Sequence, residues 1–104
     1  NLISVIDRNK LQSIRSTEET LQLEPLLDKW KAFGWSVVKI DGHNHQALQK
    51  NLVHFEKGKP LCVIAETIKG KGISFMENKN LWHYRSPQGD EYEAAISELG
   101  IKNA

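Results

Sequence analysis

Two polar segments of the sequence contain residue types that could bind a metal and a phosphate. Asn9 follows an apolar run, and its side-chain amide offers a hard neutral oxygen of the kind that Mg²⁺ prefers. The Lys-Gly-Lys-Gly run at 69–72 combines two cations with glycines that let the backbone approach a ligand, so it could hold a phosphate. His83 could take part in acid–base chemistry.

Each of these residues also has an ordinary structural interpretation. An isolated asparagine more often turns or caps the chain, a lysine-glycine tract is more often a solvated turn, and a lone histidine is more often structural. The run at 69–72 matches neither the dinucleotide-binding fingerprint nor the phosphate-binding loop that ends in Gly-Lys-Ser/Thr. Residue types alone therefore leave both interpretations open.

The elements that must position these residues follow from the spacing of apolar side chains. Strands are predicted at 1–6, 35–40 and 61–65, and helices at 23–33 before Gly34, from Asn44 onward with Ala47, Leu48, Leu52 and Phe55 facing inward, and at 91–99. The continuous apolar runs at 1–6 and 61–65 are typical of strands buried on both faces of a sheet. This alternation predicts an α/β fold of three layers, in which a mainly parallel sheet is flanked by helices.

Ligands of such sheets bind beyond the carboxyl ends of the strands. The loops at 7–20, 41–45 and 66–87 all leave the predicted strands at that edge, and all three are polar. We therefore expect Asn9, the 69–72 run and His83 to lie close together.

Composition restricts the class of protein. The 104 residues suit one globular domain, and a net charge of +1 indicates neither a nucleic-acid surface nor a polybasic membrane anchor. No apolar stretch approaches the roughly 20 residues of a membrane span. The single cysteine, Cys62, lies in an apolar run, which favours a buried thiol in a reducing compartment and makes the cytoplasm the expected location.

Four segments of the sequence together resemble a known family. "NLISVIDRNKLQ", "KWKAFGWSVVKIDGHNHQAL", "KPLCVIAETIKGKGISFMEN" and "LWHYRSP" occur in the order and at the spacing of the second half of the thiamine-diphosphate-binding domain of transketolase. The resemblance covers nearly the whole chain, 1–104. It implies a partial thiamine-diphosphate-binding fold that lacks the upstream Gly-Asp-Gly half of the family's cofactor signature.

The resemblance also implies roles for individual residues. The side chain of Asn9 and the backbone carbonyl of Leu11 would bind Mg²⁺, or Ca²⁺ as a substitute, and the metal would hold the diphosphate of thiamine diphosphate. Lys69 would approach that diphosphate, and His83 would be the catalytic histidine near the reacting end of the donor sugar. One departure from the family pattern is Tyr84, which replaces the usual glycine after this histidine and could narrow the substrate channel.

The implied activity is transfer of a two-carbon ketol unit between sugar phosphates, with the rest of the enzyme or a C-terminal subunit as partner and a dimer as the assembly. We expect the 104 residues alone to be inactive, and their exposed sheet edge to cause self-association unless a partner covers it. Three alternatives stay open from the sequence. They are another thiamine-diphosphate enzyme, such as a deoxyxylulose-phosphate synthase or a 2-oxoacid dehydrogenase component, a non-catalytic assembly module, and a flavodoxin-like nucleotide binder.

Overall fold

The structure, a computed structural model, describes residues 2–53 and 56–101. Its elements in chain order are β1 (Ile3–Arg8), α1 (Thr17–Thr20), α2 (Leu26–Ala32), β2 (Ser36–Asp41), α3 (His45–Leu52), β3 (Leu61–Glu66), a short 3₁₀ helix (Asn80–His83) and α4 (Asp90–Glu98). None of the helices in these ranges is long and apolar enough to cross a membrane.

The three strands form one parallel sheet in the order β1-β3-β2. Arg8 of β1 and Asp41 of β2 both lie level with Glu66 of β3, so the three strands end at the same edge. The chain crosses from β1 over β3 to β2 and then turns back to β3. With right-handed crossovers, the hand of about 98% of such connections, these opposite steps correspond to helices on opposite faces of the sheet. The predicted α/β fold with a parallel sheet and flanking helices is confirmed.

The core is centred on β3. Its residues from Leu61 to Ala65 are all buried, and Ala95 of α4 is the other buried apolar residue in the described ranges. Cys62 is 0% exposed, and burial raises the pKa of its thiol. The prediction of a strand buried on both faces is therefore confirmed for β3.

The same prediction was wrong for β1 within this chain. Val5 pairs in register with Val63, yet Val5 is 52% exposed whereas Val63 is 0% exposed. β1 is an edge strand of the described sheet, with a neighbouring strand on only one side, and its surface at Val5 is open to solvent. An apolar run indicates a strand, but its position in the sheet decides how much of it is buried.

Local signals explain where the helices begin and end. The predicted helix at 23–33 begins at Leu26, because Pro25 disfavours helical backbone at the preceding residue, Glu24. Gly34 follows this helix with a φ of +83°. Asn44 caps α3 as predicted, since its Oδ1 accepts a hydrogen bond from the backbone N–H of Ala47 at 3.0 Å. The inward orientation predicted for Phe55 lies outside the described residues.

The short helix α1 was not predicted. It begins with a capping box, in which Ser16 accepts a hydrogen bond from the backbone N–H of Glu19 while the Glu19 side chain accepts from the backbone of Ser16. The sequence motif for this box, a serine followed three residues later by a glutamate, is present at 16–19.

Candidate functional site

The first side of the site is the Asn9 loop, residues 9–16, which follows β1. The side-chain oxygen of Asn9 accepts a hydrogen bond from the backbone N–H of Leu11 at 2.9 Å. Lys10 between them has a φ of +63°, and the N–H of Gln12 donates to the carbonyl of Arg15 at 3.0 Å. These bonds close a tight turn that holds the amide oxygen of Asn9 and the backbone of Leu11 on the same loop.

A buried arginine side chain anchors the base of the Asn9 loop. Arg8, the last residue of β1, is only 4% exposed. Its guanidinium donates to the hydroxyl of Thr17 at 2.8 Å and to the carboxylates of Glu18 at 2.9 Å and Glu24 at 3.0 Å. One side chain therefore ties the end of β1 to α1 and to the segment before α2, and so closes the base of the Asn9 loop.

The second side is the Lys69 loop, residues 67–79, which follows β3. Its shape comes from backbone hydrogen bonds, in which the N–H of Lys71 donates to Ile68 at 3.2 Å and the N–H of Asn78 donates to Lys69 at 3.0 Å. Gly70 has a φ of +75°, and a Cβ there would lie 2.7 Å from the carbonyl oxygen of Met76. Glycine is thus required at position 70 for both conformation and space.

His43 supports the Lys69 loop from the neighbouring strand end. Its Nε2 accepts a hydrogen bond from the backbone N–H of Ile68 at 2.7 Å. Glu66, at the end of β3, pairs with Lys39 at 2.9 Å and with Lys10 at 3.5 Å. The hydrogen bond from Lys39, helped by the charges of both lysines, holds the pKa of Glu66 below its ordinary value.

His83 lies at the end of the 3₁₀ helix and is exposed. The neighbouring Trp82 anchors this helix, because its indole Nε1 donates to the carbonyl of Phe75 at 3.1 Å and the two rings meet edge to face at 5.3 Å. The guanidinium of Arg85 lies 4.7 Å from the centre of the Trp82 ring. The imidazole of His83 is thus exposed beside a tryptophan that is anchored by a hydrogen bond and a ring contact.

The two loops and the 3₁₀ helix meet at one pocket. It has a volume of about 180 Å³ and is lined by Asn9, Leu11, Gln12, Ser13, Lys69 and His83. All four residues that the resemblance singled out as site residues line it together. Its volume is below the roughly 300–1,000 Å³ of typical small-molecule sites, so the described residues alone do not enclose a cavity of that size.

The chemistry of this wall fits a metal that already carries a phosphorylated ligand. An amide oxygen has two lone pairs, and Leu11 N–H occupies one of those on Asn9, which leaves the other for a cation. Within residues 2–53 and 56–101, no group of three or more His, Cys, Asp or Glu side chains could hold a metal alone. Asn9, Leu11 and Lys69 line the same pocket, and their neutral oxygens and ammonium suit a Mg²⁺ ion whose remaining ligands include phosphate oxygens and water.

Fold and pocket define the chain as a parallel α/β domain with a polar pocket at the carboxyl edge of its sheet. Residues 1–104 match the model for transketolase, thiamine diphosphate binding domain. The chain belongs to the transketolase family, and the resemblance found in the sequence is confirmed.

Three relatives illustrate the range of this similarity. The chain is 39% identical over 101 residues to an apulose-4-phosphate transketolase subunit of Phocaeicola vulgatus, covering 95% of the chain and 36% of that protein. It is 43% identical over 106 residues to a 6-deoxy-6-sulfo-D-fructose transketolase subunit of Clostridium sp., covering 100% of the chain and 38% of that protein. It is 31% identical over 99 residues to the transketolase of Homo sapiens, covering 95% of the chain and 16% of that protein. The chain thus spans little more than a third of the length of the first two.

Among the residues that shape the site, sequence reasoning missed Arg8 and His43. Arg8 was missed because arginine is normally an exposed residue, although Glu18 and Glu24 follow it within 16 residues and could have suggested a cluster. His43 was predicted only as part of a polar loop, and no pattern in the sequence indicates that its ring accepts a hydrogen bond from Ile68, 25 residues later.

Proposed function

We propose that this chain forms part of a transketolase-like transferase that moves a two-carbon ketol unit between sugar phosphates, with thiamine diphosphate and Mg²⁺ as cofactors. The observation that carries the proposal is the single pocket lined by Asn9, Leu11, Lys69 and His83. Membership of the family supports the cofactor, and the chemistry of the pocket wall supports the metal.

Each residue has a definite task in this proposal. The amide oxygen of Asn9 and the backbone carbonyl of Leu11 bind Mg²⁺, and the ammonium of Lys69 neutralises the diphosphate. The imidazole of His83 donates or removes a proton at a hydroxyl of the sugar during carbon–carbon bond cleavage. Thiamine diphosphate would supply the electron sink that this bond cleavage requires.

The remaining walls of the site come from elsewhere in the enzyme. Two of the relatives are named as subunits of a transketolase, which supports a partner subunit for this chain as well. The described wall of the pocket offers the metal neutral oxygens and no cluster of acidic ligands, and such a partner would add to the ligands that phosphate oxygens and water supply. Assembly as a dimer and location in the cytoplasm stay predictions from the sequence.

An assay of the complete protein with its partner subunit tests the reaction. We expect transfer of a two-carbon unit from a ketose phosphate to an aldose phosphate, dependent on thiamine diphosphate and Mg²⁺. Reaction with pyruvate in place of the ketose phosphate would favour another class of thiamine-diphosphate enzyme. Assembly without any cofactor binding would favour a non-catalytic module.

A pair of lysine variants tests the site itself. Lys69 lines the pocket, whereas Lys71, two residues later, pairs with Glu77 at 3.7 Å. Lys69→Ala should weaken binding of thiamine diphosphate by roughly 10- to 100-fold, because a charged hydrogen bond contributes on the order of 1.5–3 kcal/mol. Lys71→Ala should change this affinity less than about threefold. Titration calorimetry in Mg²⁺ measures both, and equal effects would contradict the assignment of Lys69.

A further inference from the structure

Tyr84 joins the two sides of the candidate site. Its hydroxyl donates a hydrogen bond to the backbone carbonyl of Ser13 at 2.8 Å, across 71 residues of sequence. Ser13 belongs to the Asn9 loop and lines the same pocket as His83, which immediately precedes Tyr84. The tyrosine therefore spans from the histidine side of the pocket to the loop that carries Asn9.

No other hydrogen bond within the described residues connects residues 80–84 with residues 9–16. The 3₁₀ helix is otherwise anchored to Phe75 through Trp82, and the Asn9 loop is otherwise anchored by Arg8. These two anchors belong to different parts of the chain. The pairing of β1 with β3 and the Lys10–Glu66 ion pair hold the bases of the two loops together, and the hydroxyl of Tyr84 adds the direct link between the 3₁₀ helix and the Asn9 loop.

The ring of Tyr84 also contacts the histidine directly. The centres of the two rings lie 5.1 Å apart, at an interplanar angle of 88°. This edge-to-face contact favours one orientation of the imidazole. Tyr84 is 67% exposed, so little burial of its ring accounts for its placement, and the bond to Ser13 is its specific contact.

We propose that Tyr84 is a positioning residue, which sets the distance between the imidazole of His83 and the Asn9 loop through its hydrogen bond to Ser13. This inference rests on the proposed function for its catalytic consequence, but the bond across the pocket can be tested without activity.

Tyr84→Phe removes the hydroxyl and keeps the ring, so it isolates the hydrogen bond. Tyr92→Phe is the matched control, because Tyr92 is also exposed, at 50%, and its hydroxyl makes no hydrogen bond within the described residues. In the complete protein with its partner subunit, hydrogen exchange of residues 9–16 and 80–84 should become roughly 2- to 10-fold faster in Tyr84→Phe, as expected for loss of one hydrogen bond. It should be unchanged in Tyr92→Phe. Unchanged exchange in Tyr84→Phe would overturn the bond across the pocket.

Steady-state kinetics of the same variants test the positioning role. If Tyr84 positions the catalytic histidine, kcat should fall about 3- to 10-fold while KM for the sugar phosphates stays within about twofold. Faster exchange with unchanged kcat would overturn the positioning role and leave only a structural bond. A wild-type enzyme without ketol transfer would instead refute the proposed function, and the exchange experiment would still decide whether the bond exists.

Discussion

The two loops that line the candidate site are held in place by different means. The Asn9 loop depends on side chains, above all on the buried guanidinium of Arg8 and its bonds to Thr17, Glu18 and Glu24. The Lys69 loop depends mainly on its own backbone, with a glycine at position 70 that no other residue type can replace without strain, while the side chains of His43 and Glu98 support it. One loop is thus fixed mainly by side-chain charge and the other mainly by backbone conformation.

The two loops should therefore be destabilised by different changes. A backbone turn that requires glycine is destabilised when a Cβ is added, at any pH or salt concentration. A loop held by a buried arginine is destabilised when the guanidinium is removed. Its carboxylate partners can also be protonated in acid, which weakens the same contacts. Substitutions in each loop can therefore separate the two mechanisms.

The largest effect is expected in the Lys69 loop, from Gly70→Ala. Left-handed backbone costs an L residue about 1–2 kcal/mol, and a Cβ only 2.7 Å from the Met76 carbonyl adds a comparable cost of overpacking. The free energy of unfolding in urea should fall by about 3 kcal/mol. Gly72→Ala is the control, because it has a φ of +99° but its Cβ would meet only a Leu99 side-chain atom at 3.4 Å. Its cost should be about 1.5 kcal/mol.

Equal losses in the two glycine variants would show that the backbone at Met76 moves aside. The backbone of the Lys69 loop would then deform more easily than its hydrogen bonds indicate. The Lys69 loop would differ less from the Asn9 loop in how it is fixed. A larger loss in Gly70→Ala would confirm that the turn is fixed by backbone geometry.

Much of this architecture could be predicted from the sequence, because it depends on local patterns. The apolar run at 61–65 predicted a central strand, Asn44 predicted a helix cap, and Gly34 predicted a helix end. The meeting of Asn9 with the 69–72 run also followed from a general rule, since parallel strands end at one edge and each segment follows a strand.

The rest could not be predicted because it depends on contacts between distant residues. Val5 and Val63 have the same residue type and a similar apolar setting, yet the first is exposed at the edge of the described sheet and the second is buried at its centre. The bonds of Arg8 span 9 to 16 residues, and the bond of Tyr84 spans 71. No periodicity in the sequence predicts such pairings, because only the folded structure brings these residues together.

An intermediate effect is expected in the Asn9 loop, from Arg8→Gln. The amide cannot reproduce three charged contacts, but Glu18 and Glu24 are partly exposed and water can solvate their carboxylates once the arginine is gone. The free energy of local opening of residues 9–16, measured by native-state hydrogen exchange, should fall by about 2 kcal/mol. Arg15→Gln is the control, because Arg15 is exposed and makes no salt bridge within the described residues. A loss below about 0.5 kcal/mol in Arg8→Gln would mean that the loop is held by its own turn rather than by the arginine.

The smallest expected effect is a loss of protection from hydrogen exchange at low pH. It tests whether the Lys69 loop also depends on a charged side chain. Glu98 of α4 accepts hydrogen bonds from the backbone N–H of Ser74 at 2.5 Å and from its hydroxyl at 2.7 Å, and these bonds lower the pKa of Glu98 from its ordinary value of 4.5. On the other side, hydrogen bonds from the N–H of Leu26 and from Arg8 lower the pKa of Glu24. A lowered pKa stabilises the fold above the ordinary value, and this contribution is lost as the pH falls through the folded-state pKa. Both loops should therefore lose protection from hydrogen exchange as the pH is lowered below about 4.5.

Glu98→Gln separates the two responses. The Lys69 loop should become less protected at neutral pH and less sensitive to acid, whereas the acid response of the Asn9 loop should stay as in the wild type, because Glu24 and Arg8 are untouched. Glu93→Gln on the same helix is the control, since Glu93 makes no side-chain hydrogen bond within the described residues. If Glu98→Gln altered the acid response of both loops equally, the two sides of the pocket would open as one unit. The distinction between a loop fixed by charge and a loop fixed by backbone would then no longer hold.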